Sequence, residues 1–276
     1  MKSRCLLIVM AVLFAVGTLV SPSYAEIDPN SVIGLWLFNE GKGDIATDSS
    51  GNGNDGTFVG EPTWTNGKFG KALELDGESD YVRIGDTDGF SGGAGKQLTV
   101  AVCFKHDDPT EKAPAGEQYN GIVSKYLDAS NKDWGLLFRF SKVTFGYESG
   151  ANDWESSTGI TSGILNTGTW YYAAFTLNGR DAKLYLDGAE VGKATLPTDT
   201  PDTTAAVEIG AVTYKGAGNV NNFFKGVIDE VVIFNTALSQ EDLKIIVDKG
   251  IGSVLGLVAV EPSGKLATTW SSLKEQ

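Results

Sequence analysis

From Val32 onward the chain alternates short apolar runs with clusters of glycine and asparagine, and within the runs the period is closer to two than to 3.6. That pattern predicts strands rather than helices. The predicted strands are Val32–Asn39, Ala72–Leu75, Tyr81–Ile84, Leu98–Lys105, Gly121–Tyr126, Gly135–Phe140, Lys142–Tyr147, Trp170–Asn178, Lys183–Leu186, Ala206–Ile209 and Val227–Phe234. The dipeptides Asn66-Gly67, Asp76-Gly77, Asn178-Gly179 and Asp187-Gly188 are strong turn signals. Asn178-Gly179 joins its two flanking runs into a hairpin. About a dozen short strands with no helices between them predict an all-β, two-sheet antiparallel sandwich and not a parallel α/β sheet.

One helix interrupts the pattern near the end. Over Ser239–Lys249, Leu243, Ile246 and Val247 share a face, Ser239 stands as N-cap with Asp242 three residues on, and Gly250 closes the helix. Leu238 and Leu243 are spaced as a hydrophobic staple. The remaining 251–276 is expected to be an appendage with a short strand around Leu255–Val260. The last strand carries the one conflict in the pattern. Strict alternation sends Val227, Asp229, Val231 and Ile233 to one face and Ile228, Glu230, Val232 and Phe234 to the other. Both faces are otherwise apolar, so one carboxylate must approach the core and take a counter-charge: Lys225, Arg83 or a metal cation.

Composition narrows the class. The chain has 276 residues, 41% of them hydrophobic, with 35 glycines and no Gly-X-Y period, so it is neither disordered nor collagen-like. The first 25 residues read as a secretory leader: Lys2 and Arg4, an apolar stretch from Leu6 to Val20, then Ser23-Tyr24-Ala25 with small residues before the cut. The apolar stretch is shorter than the roughly 20 residues a spanning helix needs. Cleavage after Ala25 leaves Cys103 as the one cysteine, so no internal disulfide is expected, and a domain of 26–250 followed by the appendage. Formal charge is −13 and becomes −15 without Lys2 and Arg4, which argues against nucleic acid as a partner. No later segment is long and apolar enough for a membrane span. The single histidine, His106, leaves little room for histidine-based catalysis.

The most informative polar segment is Asp48-Ser49-Ser50-Gly51-Asn52-Gly53-Asn54. Oxygen-bearing side chains at Asp48, Ser50 and Asn52 with Gly53 sixth match the first half of an EF-hand loop, but Val59 stands where the bidentate glutamate belongs. Two readings remain, a Gly/Asn-rich turn and a loop that wraps a cation whose other ligands come from elsewhere. Enzyme motifs fare worse. Glu26-Ile27-Asp28 lacks the third acid of a glucanase triplet and sits at the mature N-terminus. Gly89-Phe90-Ser91-Gly92-Gly93 has the nucleophile-elbow spacing without the strand and helix around it. Cys103 and His106 on one apolar strand read as core, and Asp86-Thr87-Asp88-Gly89 as a solvated turn. Among aromatics, Trp36, Trp134, Trp170 and Phe175 lie in apolar strands and are expected in the core. Trp64, Trp154, Tyr119 and Tyr214 are the candidates for sugar contact, because pyranose C–H faces stack on aromatic rings.

Taken in order, Gly34-Leu-Trp-Leu-Phe-Asn-Glu-Gly41, the 48–56 segment, Ala72-Leu-Glu-Leu-Asp-Gly77, Asp80-Tyr81-Val82, Leu98-Thr99-Val100, Gly121-Ile-Val-Ser-Lys125, Thr169-Trp-Tyr-Tyr172, Leu184-Tyr-Leu-Asp-Gly188 and Ile228-Asp-Glu-Val231 resemble the laminin G-like jelly-roll family of the concanavalin A-like lectin and glucanase superfamily. The resemblance runs over about 32–249. It implies a two-sheet jelly roll with one short C-terminal helix, one structural calcium ion held by Asp48, Asn52 and Asp229, and a secreted, periplasmic or cell-surface module that binds glycans or extracellular proteins without catalysis. The alternative it allows is a carbohydrate-active enzyme of the glucanase type. The superfamily topology pairs the first strand with the last, which would bring Glu40 and the 48–54 loop toward Asp229, with Glu40 as an extra ligand. Two departures stand out: Val232 where a basic residue is expected, and no partner for Cys103 where many relatives carry a cysteine pair.

Overall fold

The structure is a computed structural model describing residues 27–107, 119–128, 131–147, 160–213 and 220–257. The leader, Trp154 and Tyr214 lie outside the described residues. The strands are β1 (Val32–Trp36), β2 (Ile45–Ala46), β3 (Gly56–Val59), β4 (Thr63–Asn66), β5 (Lys71–Asp76), β6 (Tyr81–Ile84), β7 (Gln97–His106), β8 (Asn120–Asp128) and β9 (Asn131–Arg139). They continue as β10 (Lys142–Gly146), β11 (Trp170–Asn178), β12 (Asp181–Leu186), β13 (Ala189–Thr195), β14 (Val207–Ile209), β15 (Val212–Thr213), β16 (Val220–Asn221) and β17 (Lys225–Phe234). Two helices follow, α1 (Gln240–Lys249) and α2 (Ile251–Val254).

An eight-stranded antiparallel sheet runs β13-β12-β11-β7-β17-β5-β4 with β1 as its eighth strand, paired to β17, and a seven-stranded one runs β10-β9-β8-β14-β6-β3-β2. The strand β1 lies on the same side of β17 as β5, end to end with it: Trp36 pairs with Val231, and Leu73 pairs with Ile228. The first strand therefore does run antiparallel to the last. Between the sheets Trp36, Phe104, Trp134, Phe175 and Ile228 form the main core. A second core lies on the back of the eight-stranded sheet, where Leu35, Cys103, Tyr172 and Val232 meet Leu243, Ile246 and Ile251. Because β7 and β17 are covered on both sides, they read as continuous apolar runs rather than alternating ones.

The helix signals are realised in detail. Asp242 N–H donates to Ser239 Oγ at 3.2 Å and Ser239 N–H to Asp242 Oδ2 at 3.0 Å, closing the capping box. Gly250, at φ 76°, donates its N–H to Ile246 O at 2.8 Å. Of the strand expected around Leu255–Val260, residues 255–257 form no strand and 258–260 lie outside the described residues. The chain enters α2 instead, because Ile251 fills the second core and its N–H finds a carboxylate acceptor. The strands that periodicity missed (β2, β3, β4, β13, β15 and β16) are two-residue pairs or polar strands at the sheet margins. In β13, for example, Val191 is an exposed hydrophobic, so burial imposes no alternation.

Alternation in β17 is also corrected. Ile228 pairs with Phe104 and Val231 with Val102, so Asp229 and Glu230 together oppose the single residue Cys103. This bulge inserts one residue and resets the pattern. Ile228, Val231 and Ile233 face the main core, while Val232 and Phe234 face the second.

Candidate functional site

Asp48 and Asn52 stitch their loop onto β1. Asp48 Oδ1 accepts from Leu35 N at 3.0 Å and Ser50 N at 2.9 Å, and its Oδ2 accepts from Asn54 N at 2.9 Å. The Asn52 amide donates to Val32 O at 3.0 Å and to Ser50 Oγ at 3.1 Å, while Asn54 donates to Ile33 O at 2.8 Å. Gly51 and Gly53 adopt φ of 84° and 80°, the left-handed backbone that lets the loop fold back on itself. Glu40 Oε1 accepts from Thr47 N at 2.7 Å.

Asp229 stands apart from that network, in the seam between the end of β1 and the start of β5. It is fully buried, and its Oδ2 accepts from Phe69 N at 2.8 Å in the β4–β5 hairpin loop. The loop comes this close because residue 67 is glycine; a Cβ there would stand 2.5 Å from Asp229 Oδ2. Asp229 Oδ1 is buried and has no hydrogen-bond partner. Among the described residues no three His, Cys, Asp or Glu side chains gather as a metal-holding group. The three residues expected to hold calcium share no hydrogen-bond partner: three backbone N–H groups donate to Asp48, the Asn52 nitrogen donates to β1, and Asp229 accepts from Phe69 N. Asp229 Oδ1 and, on the expected extra ligand, Glu40 Oε2 are buried oxygens that accept no hydrogen bond.

The bulge gives Asp229 a companion. Glu230 Oε2 accepts from Ile251 N at 2.8 Å and Oε1 from Gly252 N at 3.0 Å, tying α2 to β17. Burial pushes the Asp229 carboxyl up to about 6, against the pull of the Phe69 and Lys68 N–H groups. Burial likewise pushes Glu230 up to about 7, despite its two backbone donors. The Cys103 thiol between them is raised well above its ordinary range, first by burial and then by the charge of Asp229. Neither proposed side-chain counter-charge reaches Asp229: Arg83 sits in the other sheet and Lys225 is exposed.

A second buried acid lies at one end of the sandwich. In the β8–β9 pair, Lys125 faces Trp134 and Tyr126 faces Lys132, which leaves Asp133 as an extra residue. Lys125 Nζ, wholly buried, stands 3.1 Å from Asp133 Oδ2 and 3.0 Å from Asp86 Oδ1. It also donates to Thr203 O. Ser91 Oγ and Thr203 Oγ1 donate to the same Asp133 oxygen at 2.9 and 3.1 Å. Asp86, expected on a solvated turn, is thus the outer partner of a buried lysine.

The outward face of the seven-stranded sheet offers different chemistry. Across its middle the register aligns Thr57, Arg83, Glu208, Ser124 and Gly135. Glu208 is the one carboxylate in that row; Thr213 Oγ1 donates to its Oε1 at 2.7 Å, and Arg83 Nη1 lies 3.8 Å away. Burial raises its pKa while Thr213 and Arg83 oppose the rise. The β15–β16 ribbon crosses this face, with Val212 packed on Tyr119, Tyr126 and Leu137.

The aromatic candidates sort unevenly. Trp36, Trp134 and Phe175 are buried as expected, whereas Trp170 is only half-buried, with Lys105 Nζ 5.5 Å from its ring centroid. Trp64 is on strand β4, not in a loop, and closes the sandwich edge against Phe58 at 5.4 Å. Tyr119 is buried. The aromatic that reading by strand pattern missed is Phe140, expected at the end of a strand. It turns out of β9 at φ 50° and is 48% exposed.

A two-sheet jelly roll whose first strand pairs with its last, backed by one C-terminal helical segment, is the architecture of lectin-like sandwiches. The chain belongs to the concanavalin A-like lectin/glucanases superfamily, whose family model matches residues 76–244. No curated protein matches it. Among solved structures it is similar to domain 4 of AbnA, a GH43 extracellular arabinanase from Geobacillus stearothermophilus, in complex with arabinotriose. The identity is 23% and the TM-score 0.55, over 79% of this chain and 98% of that one. The binding domain of Paraclostridial Mosquitocidal Protein 1 matches with 14% identity and TM-score 0.60, over 79% of this chain and 52% of that one. A Trypanosoma rangeli sialidase in complex with 2,3-difluorosialic acid matches with 13% identity and TM-score 0.56, over 79% of this chain and 33% of that one. The chain thus spans the whole of the first relative and about half or less of the other two. No described helix is long and apolar enough to cross a membrane.

Proposed function

We propose that the protein is an exported, non-catalytic glycan-binding module. The observation that carries this reading is the outward face of the seven-stranded sheet, where Glu208 is the one carboxylate in the central row and is held by Thr213 beside Arg83. Hydrolysis of a glycosidic bond ordinarily uses two carboxyl groups, about 5–9.5 Å apart, on either side of the scissile bond. Glu208 is 1% exposed and capped by Thr213, so it braces this face, while the part-exposed Arg83 beside it offers donors to ligand hydroxyl groups. The likeness to an arabinanase domain crystallised with arabinotriose supports a glycan over a protein ligand, and export follows from the leader read at residues 1–25.

The test is affinity electrophoresis and calorimetry of the protein against a panel of soluble polysaccharides, with release of reducing ends followed in parallel. Retardation by at least one polysaccharide without release is the expected result. Release of reducing ends that Glu208→Gln abolishes would overturn the non-catalytic reading.

A further inference from the structure

The β9–β10 turn of the seven-stranded sheet is built from the wrong residues for a turn. Phe140 and Ser141, between β9 and β10, stand at φ 50° and 55°, both left-handed. Two-residue hairpin loops of that shape normally take Asn-Gly, because a side chain with a bulky Cβ substituent is strained there. Core packing offers no compensation at Phe140, whose side chain is not part of either core and is 48% exposed. Backbone strain kept at an exposed aromatic points to a use of the ring itself.

The ring is also held in place. The Arg139 guanidinium lies 4.4 Å from the Phe140 ring centroid and 4.4 Å from the Tyr119 ring centroid. Arg139 Nη1 donates to Tyr119 Oη at 2.6 Å, so the guanidinium that meets both rings is fixed by a hydrogen bond as well as by cation–π attraction. The turn is anchored from outside by Leu165 N–H, which donates to Ser141 O at 2.7 Å. Leu165 is buried, while its neighbour Ile164 is 69% exposed.

We propose that Phe140 is a stacking platform for the C–H face of a neutral sugar ring, a proposal that rests on the glycan-binding reading above. Arg139 lies over the Phe140 ring, and the exposed half of that side chain is the surface a ligand can meet. A neutral glycan avoids the repulsion that a chain of charge −13 imposes on an acidic one. Arg139 and Tyr119 act as positioning residues, since they set the ring and do not reach the sugar.

The deciding variant is Phe140→Asn, because asparagine tolerates the left-handed conformation. It should keep or raise the melting temperature while weakening binding to neutral polysaccharides (arabinan, xyloglucan and mixed-linkage glucan as probes) about tenfold. Phe140→Trp should retain binding. If Phe140→Asn binds as tightly as the parent protein, the platform is wrong and the glycan-binding reading stands. If the parent protein binds no polysaccharide in the panel, both fall. Binding confined to acidic polysaccharides and lost in moderate salt would assign the tip to charge recognition and overturn the proposal. So would sedimentation with phosphatidylcholine vesicles that Phe140→Asn abolishes, which would make the tip a lipid contact.

Discussion

Two buried carboxylate sites in this molecule solve one problem in different ways. At the sandwich end, Asp133 meets a lysine ammonium at 3.1 Å and three further donors from Ser91 and Thr203. On the back of the eight-stranded sheet, Asp229 and Glu230 meet backbone N–H groups and, among the described residues, no lysine or arginine in ion-pair contact. Each acid arises at an irregularity of register, where one strand carries an extra residue. The difference is what the extra residue reaches. Asp133 reaches a cation and forms a pair whose value depends on both partners staying charged. Asp229 and Glu230 reach the starts of other segments, the 67–70 loop and α2, and serve as acceptors whether or not they are fully ionised.

The largest expected effect breaks the first site. Lys125→Met leaves Asp133 and Asp86 facing each other across a buried position, and losing one partner of a buried pair costs about 3–5 kcal/mol. In a domain this large that is a fall of roughly 10 °C in melting temperature. Adding Asp133→Leu to the same protein should recover most of the loss, because an apolar pair of similar volume removes the uncompensated charge. A melting curve unmoved by Lys125→Met would mean that Asp133 is neutral in the folded protein, and the contrast between the sites would collapse. The second site should respond less. Glu230→Ala strips the acceptors from Ile251 N and Gly252 N, a cost of about 1–3 kcal/mol. Hydrogen exchange should then accelerate at 250–255 and stay unchanged at Thr203, which depends on Asp133.

These sites were only half legible in the sequence. That Asp229 and Glu230 stand on a doubly apolar strand and need partners follows from residue types alone. Which partners they find does not, because simple alternation placed them on opposite faces and the bulge opposite Cys103 put both beside the same thiol. Register irregularities leave no periodic trace. The sandwich itself was readable because β7, β11 and β17 are long and fully buried, so their apolar runs have clear ends. The pairing of β1 with β17 came with the family resemblance and holds residue for residue at Leu35 and Val232. Phe140 was invisible as a turn residue for the opposite reason. An aromatic in a run of aromatics looks like strand, and only the backbone shows that it violates the usual turn chemistry.

Acidity separates the two sites further. Asp229 at about 6 and Glu230 at about 7 bind protons more tightly in the folded protein than as free side chains do. Between about pH 4 and 7 the folded state therefore holds more protons than the unfolded state, and stability falls as pH rises through that window. The contribution of these two acids is fully present at the acidic end and lost at the alkaline end. Denaturant midpoints taken from pH 4.5 to 8 should fall for the parent protein and fall less for Asp229→Asn combined with Glu230→Gln. A profile of equal slope in the double variant would place the titration elsewhere.

The smallest effect concerns calcium, and it decides whether Asp229 has a partner that hydrogen bonds do not reveal. Three backbone N–H groups on Asp48 and the commitment of Asn52 to β1 leave the 48–54 loop satisfied without a metal. The expected outcome is a melting temperature that moves by no more than about 1 °C between chelator and millimolar calcium, against the 2–4 °C that each kcal/mol is worth in a domain of this size. An ion held at Asp229 Oδ1 would act otherwise. At 100 times its dissociation constant it would add about 2.7 kcal/mol to the folded state, a rise of roughly 5–10 °C. It would also hold Asp229 ionised and so flatten the acid-side slope, an effect that stabilisation by calcium elsewhere on the surface would not produce. Measuring the melt in calcium and in chelator at both pH 5 and pH 8 separates these cases, because an ion at Asp229 must displace a proton at pH 5 and should bind more weakly there. A calcium-dependent rise at pH 8 that disappears in Asp229→Asn would make the seam between β1 and β5 a metal site and turn the contrast with Asp133 into a choice between two kinds of cation.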